Sequence, residues 1–114
     1  MILTKLLKGL DYEVIQGKDS IEINEVNYDS RLVKNDSLFV CIKGFAVDGH
    51  KYAKAAIEKG ATAIVCEDFI ECDNSEVAII KVKDPRKALA IIGDVYKRQT
   101  RSYASCNYDV YNGR

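Results

Sequence analysis

Net charge is the first thing this chain lacks. Its 17 basic residues are matched by 17 acidic ones, so no overall field attracts a polynucleotide or an anionic membrane, and neither is expected as a partner. Long apolar runs are missing as well. The run LFVCI at 38–42 is far shorter than the roughly 20 residues that span a bilayer, and Met1 is followed by no basic-then-apolar leader, so a cytoplasmic protein is expected. Metal and disulfide spacings are absent too. Cys41, Cys66, Cys72 and Cys106 stand at wide, irregular intervals without a Cys-x-x-Cys, and the single histidine, His50, is near none of them; no metal site is expected. Cys41 and Cys66 fall inside strand-like runs and read as small buried hydrophobes.

Catalytic motifs are missing in the same way. A Walker loop needs Gly, four residues, Gly-Lys and then a hydroxyl, because its amides wrap phosphates while the hydroxyl reaches magnesium. The nearest approach, GLDYEVIQGKDS at 9–20, has the wrong spacing and an Asp where the hydroxyl belongs. No Gly-x-Gly-x-x-Gly occurs, and His50 has neither a second histidine for a metal nor a recognisable nucleophile beside it. No catalytic residue is assigned. His50 reads first as bonding a turn or touching a ligand.

What is present is one domain's worth of alternating elements. At 114 residues the chain buries roughly 60–65% of its unfolded surface. LTKLLKGL predicts a short helix closed by Gly9; YEVIQG and SIEINEVNYDS read as strands. SLFVCIKG is apolar without alternation, as strands covered on both faces are, and is the expected sheet centre. KYAKAAIEK (51–59) predicts a helix ending at Gly60, followed by the strands ATAIVCE and VAIIKV. In DPRKALAIIGDVY, Asp84 caps, Pro85 takes the first helical position, and Ala88, Ile91, Ile92 and Val95 recur at helical spacing. The fold class is therefore α/β, a small mostly parallel sheet flanked by helices. Residues 97–114 carry four basic residues, one acid and three tyrosines without period; they read as an unrelated, poorly ordered tail after a domain at 1–96.

Two charged turns bracket the central run, Asp29-Ser30-Arg31 before it and Asp48-Gly49-His50 after it. Ligands of open α/β sheets lie outside the carboxyl ends of the strands, where both turns fall. Two readings stand side by side: the turns line a ligand rim, or Asp29 and Arg31 pair with each other or with a neighbouring loop and Asp48-Gly49 is simply a turn before a helix.

The series Tyr28-Asp29-Ser30-Arg31, Asp36-Ser37-Leu38-Phe39-Val40, Gly44, Asp48-Gly49-His50, Ala56 and KGATAIVCE resembles the N-terminal domain of the Mur ligases over residues 2 to 95, and most closely their UDP-N-acetylmuramoyl-tripeptide synthetases (MurE type). The resemblance implies that the domain holds the uridine diphosphate end of UDP-N-acetylmuramoyl-L-alanyl-D-glutamate. By position, Ser30 would bond the UDP moiety, Tyr28 would flank it, Phe45, Ala46 and Val47 would close over it, and Asp48, Gly49 and His50 would shape that loop. Family members often carry polar residues where Phe45 and Ala46 stand. The family's ATP loop, carbamylated lysine, magnesium ligands and C-terminal domain have no counterpart after Val95. ATP and magnesium are thus implied for a complete ligase that adds diaminopimelate or lysine, with no cofactor in these residues and no activity expected from them alone. Two alternatives remain: the sister ligase adding D-alanyl-D-alanine, and a non-catalytic interaction module of the same fold.

Overall fold

The computed structural model describes residues 1–44 and 47–100, in the order α1 (Leu3–Leu6), β1 (Glu13–Gln16), β2 (Glu25–Asn27), β3 (Ser37–Val40), α2 (Ala53–Glu58), β4 (Ala61–Cys66), β5 (Ala78–Lys81) and α3 (Pro85–Thr100). The strands hydrogen-bond in the order β1-β5-β4-β3-β2. All neighbouring pairs are parallel except β1 with β5.

The continuous apolar runs are explained by a sheet covered on both faces. Leu38 and Val40 pack with Leu6 and Ile92 on the side of α1 and α3, while Phe39 and Cys41 pack with Ala53 and Ala56 on the side of α2. Alternate residues of one strand therefore serve different cores. Ile64, Ile80 and Ile92 are wholly buried, each contributing about 1.5–3 kcal/mol relative to exposure.

The termini of the helices follow their sequence signals. Asp84 Oδ1 accepts from the N–H groups of Arg86 and Lys87 ahead of α3. After α2, Gly60 takes φ +118° and its missing Cβ would lie 2.8 Å from the Asn35 Cα, so only glycine turns the chain there.

Several expectations change in the folded chain. β4, not β3, occupies the middle of the sheet, because β5 and β3 both pair with it. Only Glu25–Asn27 of the stretch SIEINEVNYDS is strand. The rest is drawn to the N-terminus: Leu3 N–H donates to the Ile21 carbonyl and Ile23 N–H to that of Met1. The helix expected from residue 51 begins as a 3-10 turn, Gly49–Tyr52, before α2. At the other end α3 continues past the boundary at residue 96 to Thr100, with Arg98 pairing Asp94 at 3.3 Å and the hydroxyl of Tyr96 donating to the Asn24 carbonyl. The remainder of the expected tail, 101–114, lies outside the described residues. No helix among the described residues is long and apolar enough to cross a membrane.

Candidate functional site

Both charged turns leave the carboxyl ends of adjacent parallel strands, β2 and β3, and α2 packs against each of them. They therefore share one rim.

The first turn is closed on itself. Asp29 Oδ1 accepts from the Arg31 backbone N–H at 3.0 Å and opens a 3-10 turn, Ser30–Leu32. The Arg31 guanidinium grips the same carboxylate, Nε to Oδ1 at 3.0 Å and Nη2 to Oδ2 at 2.7 Å. Those side-chain bonds first, and then the backbone one, hold the Asp29 carboxyl down at about 2. Between the paired residues, Ser30 is half-buried and its hydroxyl makes no hydrogen bond among the described residues. Tyr28, just before it, is exposed.

The second turn reaches further. Asp48 Oδ1 accepts from the His50 backbone N–H at 2.9 Å and lies 2.7 Å from ring Nδ1. The backbone bond first, then the ring, lowers the Asp48 carboxyl below its usual range. His50 Nε2 accepts from the N–H groups of Glu67 and Asp68 at 3.1 and 3.2 Å, in the loop after β4. An acceptor at Nε2 requires the proton on Nδ1, which donates to Asp48. Both ring nitrogens are thus engaged, and the side chain is only 7% exposed. Gly49 is needed for close approach: a Cβ there would meet Ile42 N at 2.7 Å. Val47 is exposed, whereas Phe45 and Ala46 lie outside the described residues.

Sequence reasoning named Asp48 and His50 but missed what they hold. Lys43 pairs with Asp68 at 2.9 Å and with Glu67 at 4.0 Å, and Arg86 Nη2 donates to the Lys43 carbonyl at 3.0 Å. Asp68 raises the Lys43 ammonium above its ordinary value, chiefly by that hydrogen bond. The signal available was position, since CED closes one strand-like run and Asp-Gly-His follows the run before it. Ligand atoms of Asp48, His50 and Asp68 lie within 4.8 Å of one another, yet each is already bonded to the protein, which makes the group a structural network. Within the stretch GLDYEVIQGKDS, Glu13–Gln16 is strand β1, paired with β5. Burial raises the thiols of Cys41 and Cys66, the latter to about 11, so neither is poised as a nucleophile.

A family model described as "Mur ligase family, catalytic domain" matches residues 22–97. The chain belongs to the Mur ligase family. Curated Mur ligases resemble it closely: UDP-N-acetylmuramoyl-L-alanyl-D-glutamate--2,6-diaminopimelate ligase of Clostridium botulinum is 52% identical over 99 residues, and that of Clostridium perfringens 46% over 96. Each match covers 84% of this chain and 20% of the relative, so the chain spans about a fifth of those ligases. Among solved structures, MurF of Acinetobacter baumannii matches 86% of the chain and 21% of its own, with a TM-score of 0.66 at 24% identity, a likeness of fold. MurF of Thermotoga maritima in complex with ADP matches 61% of the chain and 16% of its own, with a TM-score of 0.54 at 27% identity. Both of these sequence relatives are named as diaminopimelate-adding ligases, in line with the resemblance to the tripeptide synthetases.

Proposed function

We propose that this chain is the substrate-anchoring domain of an ATP-dependent ligase that extends UDP-N-acetylmuramoyl-L-alanyl-D-glutamate with diaminopimelate or lysine. The observation that carries the reading is the Ser30 hydroxyl, which has no hydrogen-bond partner among the described residues and is set between two side chains that satisfy each other, on the rim that also holds the 47–50 turn. A hydroxyl both donates and accepts, which suits a nucleotide's ribose, base or diphosphate oxygens.

In this reading Tyr28 flanks the uridine diphosphate, the 45–47 loop closes over it, and Asp48, Gly49 and His50 set the loop's path. ATP and magnesium serve the complete ligase, where the peptide carboxylate is phosphorylated and an amine attacks the acyl phosphate. Residues 1–96 and the helix that continues to Thr100 bind and orient the nucleotide-sugar, and by themselves they neither hydrolyse ATP nor form an amide. The names of the curated relatives support the substrate, and a chain that spans about a fifth of their length is consistent with a part of the ligase and not the whole.

The test is a heteronuclear NMR titration of the 114-residue chain with UDP and with UDP-N-acetylmuramoyl-L-alanyl-D-glutamate, repeated for Ser30→Ala. The expected result is shifts clustered on 28–31 and 47–50 that weaken in the variant, with a dissociation constant in the millimolar range, about −4 kcal/mol. A folded spectrum with no shifts at millimolar ligand overturns the proposal and favours an interaction module.

A further inference from the structure

Phe69 is 86% exposed, more than any other large apolar side chain among the described residues. On a loose loop this would mean little. Here the stem is fixed at two points immediately before the ring: the N–H groups of Glu67 and Asp68 bond His50 Nε2, and the Asp68 carboxylate pairs with Lys43. His50 and Lys43 both belong to the connection that leaves β3, and Phe69 to the one that leaves the neighbouring parallel strand β4. Two loops at the carboxyl ends of adjacent strands are joined, and an aromatic ring follows directly after the joint.

Folding within the described residues gives this arrangement no use for the ring. Phe69 belongs to neither core, although Ile70 and Cys72 beyond it pack on the α2 face. A solvent-exposed phenyl on a held stem offers a flat apolar face to a planar partner. Lys43, half-exposed, is occupied in holding that stem through Asp68, which leaves the ring as the group free to meet a ligand.

We propose that residues 67–69 form a further wall of the nucleotide site, with Phe69 contacting the planar base of a nucleoside diphosphate and His50 acting as the positioning residue that holds Phe69 there. The inference rests on the anchoring function proposed above and adds a specificity element from a different loop. His50 works through the backbone it holds; its ring is buried and both nitrogens are engaged.

The experiment is a UDP titration of the 114-residue chain, with intermolecular NOEs sought between the Phe69 ring and the H5 and H6 protons of uracil. Dissociation constants are measured for wild type, Ser30→Ala, Phe69→Ala, Phe69→Tyr, His50→Leu and His50→Gln. Expected are ring-to-base NOEs, about tenfold weaker binding for Phe69→Ala, and binding near wild type for Phe69→Tyr. His50→Gln, which keeps an acceptor for the two amides, retains more affinity than His50→Leu. Should His50→Leu fail to fold, the surface substitution Phe69→Ala still decides. UDP binding that depends on Ser30 but shows no Phe69 NOE, and stays within twofold in Phe69→Ala, overturns this inference alone. No UDP shifts in a folded wild type overturn it together with the function on which it rests.

Discussion

The two turns of the rim are written in nearly the same local grammar and do different things. Each begins with an aspartate whose Oδ1 accepts the N–H two residues on, Arg31 in one and His50 in the other, and each opens a 3-10 turn. In the first, the partner side chain is 84% exposed and bends back to the same carboxylate. In the second, the partner is 7% exposed and passes through to a loop 17 residues further along. The Asp-Ser-Arg turn is a clip at the surface; the Asp-Gly-His turn is a joint between loops. A local motif sets its own backbone, but its structural consequence depends on whether the side chain ends in water or in another segment.

The comparison predicts unequal sensitivity to substitution. The largest effect belongs to Gly49→Ala: the added Cβ would sit 2.7 and 2.9 Å from Ile42 backbone atoms, which cannot swing aside. A loss of about 2–3 kcal/mol in urea unfolding is expected, and an unchanged midpoint would refute the close packing.

His50→Leu comes next, since it leaves the Glu67 and Asp68 amides without their acceptor; about 2 kcal/mol should be lost. Hydrogen exchange at those two amides should accelerate, and exchange at Arg31 should not. Equal acceleration at both turns would erase the distinction between clip and joint.

Ser30→Ala should leave stability within about 0.5 kcal/mol, because its hydroxyl has no partner to lose among the described residues. Binding of UDP should weaken about fivefold in the titration. A large stability loss without a binding change would assign Ser30 to the scaffold.

The smallest effect is expected at Asp29. Its carboxyl is held near 2 against an ordinary 3.8, so its contribution is complete above 3.8 and fades as pH falls through about 2. The pair is open to solvent, and Asp29→Asn, which still caps the turn, should cost at most about 0.5 kcal/mol. In a carboxyl 13C titration, Arg31→Ala should move the Asp29 midpoint back up; a midpoint that stays near 2 would show that the backbone bond alone suffices.

Particular residues show how far the sequence could be read. Asp84 before Pro85 predicted the cap of α3 correctly, because capping involves only neighbours in the chain. The even burial of Ser37–Val40 followed from an apolar run without alternation. β2 is shorter than its apolar pattern predicts because the partners of Ile21 and Ile23 lie at the N-terminus, and a strand exists only where its neighbour runs alongside. α3 runs on past residue 96, where the apolar period ends, because Lys97 and Arg98 favour the last turn of a helix, where the dipole welcomes positive charge. At the rim, the sequence leaves the partner of Asp29 and Arg31 open between each other and a neighbouring loop, and in the fold they pair with each other. Beside that pair, the Ser30 hydroxyl makes no hydrogen bond among the described residues, and the ligand reading proposed above rests on it.

By itself, then, the order of residues determined the α/β class, the two-faced burial of the parallel strands, the caps and the positions where a turn begins, since each depends on periodicity or on contacts within a few residues. Tertiary structure alone decided that β4 lies at the centre, that β1 runs antiparallel along β5, and that His50 closes on Glu67 and Asp68. Those outcomes depend on which distant segments share a core, and a hydrogen bond across 17 residues exists only after packing has brought its donor and acceptor within 3.1 Å.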